Sequence, residues 1–68
     1  MKIIYDRETD TLSLILSDDK ITESDELRDG IILDYNSQGK VISVEILDAS
    51  KNISEPTAIS YELKEKTA

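Results

Sequence analysis

The stretch Gly30-Ile-Ile-Leu-Asp-Tyr-Asn-Ser-Gln-Gly-Lys-Val-Ile-Ser-Val-Glu-Ile-Leu47 constrains this chain most. Two runs dense in β-branched residues flank Asn36-Ser-Gln-Gly39, so the stretch reads as a β-hairpin. A type I turn with Gly39 left-handed and a bulge before Lys40 would close it. In that register Asn36 opposes Lys40, Tyr35 opposes Val41 and Ile32 opposes Val44. Ile32, Ile42, Val44 and Ile46 then share one face with Asp34. Ile31, Leu33, Tyr35 and Val41 share the other with Ser43 and Glu45. Both faces are substantially apolar, the pattern of a hairpin buried on two sides. Asp34 and Glu45 interrupt these strands. Buried acids need partners, and Lys40 or Arg28 could serve; the alternative is that both acids point to the sheet rim.

A chain of 68 residues has little with which to cover two faces. It makes one domain, and folding at this size removes only about 60% of the unfolded surface from water. There is no cysteine, so no disulfide can help. With histidine absent too, the usual zinc ligands are missing. No metal or cofactor is expected. Self-association is the simplest supplement, giving a homodimer or higher assembly.

The rest of the chain supplies strands to add to this hairpin. Lys2 to Asp6 and Thr11 to Leu16 alternate, and Arg7-Glu-Thr-Asp10 between them has hairpin length. Pairing Asp6 with Thr11 sets Tyr5 opposite Leu12 and Ile3 opposite Leu14, which gathers four apolar residues on one face. Ser17-Asp-Asp-Lys20 is a turn. In Ile21 to Leu27, Thr22 and Asp25 have capping-box spacing. Only Ile21 and Leu27 are apolar there, so a helix would have no face to bury. An exposed, charged edge segment is the better reading. Leu47 to Ile53 reads as a helix of one or two turns, capped by Asp48, with Lys51 near its far end and Pro56 beyond. Thr57 to Leu63 alternates again, with Ile59, Tyr61 and Leu63 on one side, as a last strand or an arm across a partner. The expected fold is mostly β with a minor α part. It is a small antiparallel meander or curled sheet of about four to six strands with one short C-terminal helix. Residues 1–63 form the domain and 64–68 a polar tail.

Several chemistries are disfavoured. The net charge of −7 repels phosphate backbones, and Tyr5, Tyr35 and Tyr61 each have an acidic neighbour, so nucleic-acid binding is not expected. Without histidine or cysteine, the commonest general base and the best nucleophile at neutral pH are missing. Two isolated glycines make no phosphate loop, and the acids around Asp18 do not follow the calcium-loop pattern. An enzyme is therefore not expected. No apolar run is long enough to span a membrane, and the opening Met1-Lys-Ile-Ile-Tyr-Asp6 has no long signal-type stretch. A cytoplasmic protein with no membrane contact is the expectation.

Four segments carry a family resemblance. They are Lys2-Ile-Ile-Tyr-Asp-Arg-Glu-Thr-Asp-Thr-Leu12, Thr22-Glu-Ser-Asp-Glu-Leu27, Gly30-Ile-Ile-Leu-Asp-Tyr-Asn36 with its Gly39-Lys-Val41 turn, and Val44-Glu-Ile-Leu-Asp-Ala-Ser-Lys51. In this order, over about residues 1 to 53, the chain resembles the prokaryotic domain of unknown function family 2283. Arg7 stands where the family often has proline. The resemblance implies a compact β-rich domain and no catalytic residues. Some members resemble the acidic antitoxin partners of small basic proteins.

The functional expectation is a non-catalytic protein-interaction domain, antitoxin-like, that masks a small basic protein. The alternative is a self-assembling structural homo-oligomer. The candidate interaction residues are Asp18, Asp19, Glu23, Asp25 and Glu26 for charge, and Ile31, Leu33, Tyr35 and Val41 for apolar contact.

Overall fold

Shared burial of Ile3, Tyr5, Leu12 and Leu14 requires one register, and the first hairpin has it. The computed structural model describes residues 1–66. Strand β1 (Lys2–Asp6) pairs antiparallel with β2 (Thr11–Ile15), with Tyr5 opposite Leu12, Ile3 opposite Leu14 and Asp6 opposite Thr11. The Asp6 carboxylate accepts from the amides of Glu8 (2.9 Å) and Thr9 (3.3 Å), which shapes the turn.

Strands β3 (Glu23–Arg28), β4 (Ile31–Tyr35) and β5 (Val41–Ile46) follow as an antiparallel meander, and β5 lies against β2. The sheet order is β1-β2-β5-β4-β3, so β2 to β5 form a Greek key with β1 added at one edge. The connection from β2 to β3 rounds the end of the sheet at the β4–β5 turn. Leu16 and Ser17 donate to the Ile42 carbonyl (2.8 and 3.2 Å), Asn36 Nδ2 donates to Asp19 Oδ2 (3.0 Å), and the Thr22 amide donates to Tyr35 O (2.8 Å). The charged segment expected at an edge is that edge: every residue of β3 is exposed.

The β4–β5 turn forms as its residues dictate. Gly39 has φ 78°, the Asn36 amide donates to Lys40 O (3.0 Å), and Asn36 Oδ1 accepts from the amides of Gln38 (2.9 Å) and Lys40 (3.0 Å). Tyr35 opposes Val41 as expected. Beyond that pair the ladder departs from the expected register, because it holds a second irregularity. Asp34 opposes Ser43, Leu33 opposes Val44, Ile32 opposes Glu45 and Ile31 opposes Ile46, which leaves Ile42 without a β4 partner. Its carbonyl is turned to the end of β2, where it takes the two amides named above. Ile32 therefore does not oppose Val44.

One extra residue exchanges the faces of the rest of β5 relative to β4. The expectation of two apolar faces is corrected accordingly. One face now carries the rows Ile3–Leu14–Val44–Leu33 and Tyr5–Leu12–Ile46–Ile31, with Tyr35 and Val41. The other carries Ile15–Ser43–Asp34–Ser24 and Ser13–Glu45–Ile32–Glu26. Apolar residues dominate the first face and polar ones the second.

The short helix forms as a single turn, α1 (Ala49–Asn52), with Lys51 in its last turn. Its cap is not the expected one. Asp48 takes a left-handed conformation (φ 49°) and makes no side-chain cap bond. Asp10, also left-handed (φ 56°), does the work from the β1–β2 turn. Its carbonyl accepts from the Ala49 amide (2.8 Å), and its carboxylate accepts from the Ser50 amide (3.0 Å) and the Ser50 hydroxyl (2.6 Å). The helix is thereby tied to the opposite end of the sequence.

Residues 57–63 add no strand to the sheet, and Ile59, Tyr61 and Leu63 are 56%, 80% and 69% exposed. Residues 64–66 of the expected tail continue this exposed stretch, while 67 and 68 lie outside the described residues. Among the described residues only Leu12, Ile42 and Ala49 form a buried apolar core.

Candidate functional site

Three features of the sheet are candidates for a functional site. The first is an acidic border. Glu23 and Asp25 sit on the apolar-face side of β3, opposite Tyr35 and Leu33, and Glu26 sits on the other side, opposite Ile32. Asp18 and Asp19 continue the acidic charge along the connecting loop, where both line a cleft. Part of this charge is committed to the fold: Glu26 accepts from the Gly30 amide (3.1 Å), and Asp19 holds Asn36. Glu23, Asp25 and Asp18 are exposed. Among the described residues no strand flanks the outer edge of β3, so its backbone groups are open to one.

The second feature is a carboxyl pair under the loop. Asp34 is only 2% exposed. Its two oxygens accept from the hydroxyls of Ser24 (2.6 Å) and Ser43 (2.5 Å). The expected partners, Lys40 and Arg28, are not the ones used; serines on the neighbouring strands fill the place, together with Glu45. Burial pushes the Asp34 carboxyl upward, but the hydrogen bonds from Ser24, Ser43 and Glu45 outweigh it and hold the group below its ordinary range. Glu45 is raised by its hydrogen bond to Asp34, then by burial and by the Asp34 charge. Of the two carboxyls, Glu45 is therefore the one that holds a proton more tightly. The pair borders a cleft of about 350 Å³, whose lining includes Ser13, Asp18, Ile21 and Ile42. Carboxyls with divided affinities are what acid–base chemistry uses. Here the Asp34 oxygens are occupied by the serine hydroxyls.

The third feature is the apolar face. Ile31, Leu33 and Tyr35 are half-buried on it, and Val41 is exposed beside Tyr35. The structure thus brings all four expected apolar contact residues to one face, although the expected grouping with Ser43 and Glu45 does not hold. Leu14, Val44 and Ile46 join them there.

Sequence reasoning missed the Tyr5–Asp10–Ser50 cluster. The Tyr5 hydroxyl donates to Asp10 Oδ1 (2.6 Å). The Ser50 hydroxyl, then Tyr5 and the Ser50 amide, lower the Asp10 carboxyl, and the Asp10 bond raises the Tyr5 phenol. The available signal was an aspartate closing a hairpin turn, a position that tolerates left-handed backbone. No helix among the described residues is long and apolar enough to cross a membrane, and the described residues contain no group of three or more acids placed to hold a metal ion.

Fold and site together define a small antiparallel β-sheet domain with one apolar face and one acidic edge. The chain belongs to the family of proteins of unknown function DUF2283, whose model matches residues 2–50. That span contains all five strands and the start of α1. No curated protein and no solved structure matches the chain.

Proposed function

We propose that this chain is a non-catalytic protein-interaction domain, the acidic partner of a small basic protein in the manner of an antitoxin. The observation that carries the reading is the acidic border, which runs from Asp18 and Asp19 to Glu23, Asp25 and Glu26 on a free edge strand. A free edge accepts an added strand through main-chain hydrogen bonds, and flanking charges select which strand binds. A net charge of −7 steers a basic protein toward this border and speeds its association.

The experiment is coexpression with the product of the neighbouring gene, followed by pull-down at moderate salt. The expected result is a complex that weakens as salt rises and is lost when Glu23, Asp25 and Glu26 are all changed to lysine. Failure of the wild-type chain to retain the neighbouring protein overturns the reading. So does a complex that the triple variant forms equally well.

A further inference from the structure

The fold described above is one layer thick. A domain ordinarily buries its apolar sheet face against a second layer, either helices or another sheet. Among the described residues the only helix is the four-residue α1, which docks on the β1–β2 turn. Two aligned apolar rows, Ile3–Leu14–Val44–Leu33 and Tyr5–Leu12–Ile46–Ile31, span four strands of one face, yet only Leu12 in them is buried.

The molecule's dimensions state the same shortfall. Its radius of gyration is 13.8 Å, where a compact chain of this length has about 11 Å. Its accessible surface is 5687 Å², where a folded monomer of this mass exposes about 4300 Å². The surplus, about 1400 Å², exceeds the roughly 800 Å² that each partner of a standard interface covers. The extended C-terminal residues contribute to this surplus, and so do the half-exposed apolar rows of the face.

We infer that the apolar face is covered by a second copy of this chain, packed sheet on sheet about a twofold axis. The chemistry of the face selects that occupant. Its central residues, Leu14, Val44 and Leu33, are uncharged, so a strongly basic partner would bury cations against them without counter-charges. A second copy brings the same apolar rows, and a twofold arrangement closes after two chains. The charges at the margin, Glu23, Asp25 and Arg28, stay at the solvated rim. This inference is independent of the acidic-partner reading. It uses the face and leaves both β3 edges of the dimer free.

Sedimentation equilibrium of the full chain tests it, together with thermal unfolding over a hundredfold range of protein concentration. The expected mass is twice the 7.6 kDa of one chain. The melting temperature rises with concentration, because folding and association are one equilibrium. A folded monomer at about 100 μM, far above the range of specific dimers, overturns the inference. So does a cooperative melt that is independent of concentration. Val44→Lys places a charge at the centre of the face on both copies, and the dissociation constant rises by roughly a hundredfold or more. Ile4→Lys, on the opposite face, leaves it within about threefold. Equal loss of dimer in both variants refutes the assignment of the face. The melts of the unmodified chain decide the matter even if Val44→Lys fails to fold.

Discussion

Replacing Glu45 by glutamine should stabilise this protein, and more so as pH rises. Asp34 is nearly sealed from solvent and accepts from Ser24, Ser43 and Glu45. Glu45 can donate only while it holds a proton. Its folded affinity for that proton is raised by the bond to Asp34, by burial and by the Asp34 charge. A carboxyl raised in this way contributes stability that is full below its unfolded pKa and lost as pH climbs through the folded value. Asp34 behaves oppositely. Burial opposes its ionisation, but its three hydrogen bonds lower it further, so its contribution is present above the unfolded aspartate pKa and lost as pH falls through the folded one. Stability from the pair therefore peaks between the ordinary aspartate and glutamate values and declines on either side. Glutamine donates to Asp34 at every pH. Once the Glu45 carboxyl has lost its proton, the variant keeps one hydrogen bond to a charged group and avoids a carboxylate repulsion, about 1–2 kcal/mol. That corresponds to roughly 4–16 °C in Tm for a domain of this size. Circular-dichroism melts from about pH 4 to pH 8, at one fixed protein concentration, measure it. The gap between variant and wild type should open with rising pH. Glu23→Gln, on the exposed edge, removes the same charge and should show a much smaller gap. A variant no more stable than wild type at the alkaline end, or a gap that does not change with pH, refutes the assignment of the more tightly held proton to Glu45.

The two glycines should rank in cost when changed to alanine. Gly39 has φ +78° with open space around it, and its change should cost about 1 kcal/mol in urea unfolding. Gly30 has φ +84°, and an added Cβ would meet the Leu47 carbonyl oxygen at 3.2 Å, so Gly30→Ala should cost more. The reverse order would contradict the close approach of β4 to the chain after β5. Asp10→Ala should return the Tyr5 phenol to the ordinary tyrosine range. Tyrosinate absorbance on alkaline titration reads this directly, as a downward shift of the Tyr5 contribution.

What was legible in the sequence was whatever local pattern and burial decide together. The first hairpin read correctly because its turn length and the face shared by Ile3, Tyr5, Leu12 and Leu14 demand one register. The edge at β3 read correctly because Glu23 to Arg28 has almost nothing apolar to bury. The β4–β5 turn read correctly as well, since Asn36 and Gly39 specify it. The failure lay one pair further on. Ile42 falls out of the ladder because its carbonyl serves Leu16 and Ser17, which are 26 and 25 residues earlier in the chain. A tertiary contact set that parity, and parity decides which side of the sheet every later residue faces. The cap of α1 was illegible for the same reason: Asp48 is adjacent in sequence, but Asp10, 40 residues from Ser50, is adjacent in space.

A single-layer sheet has two routes to self-association, and they differ in outcome. Face-to-face packing closes after two copies, whereas edge-to-edge pairing that uses both β1 and β3 continues without limit. Glu23, Asp25 and Glu26 place acid opposite acid if two β3 edges meet, so the edge charges favour the closed route. Edge protection of this kind would account for the acids on β3 without any partner. It does not account for Asp18 and Asp19, which lie on the connecting loop and not on a strand. Asp19 is occupied in holding Asn36. Asp18 lines the cleft beside the carboxyl pair, exposed and outside the hydrogen bonds that shape the loop. The loop acid separates the two explanations of the border: protection needs charge only along β3, and a basic partner seated there would draw on Asp18 as well.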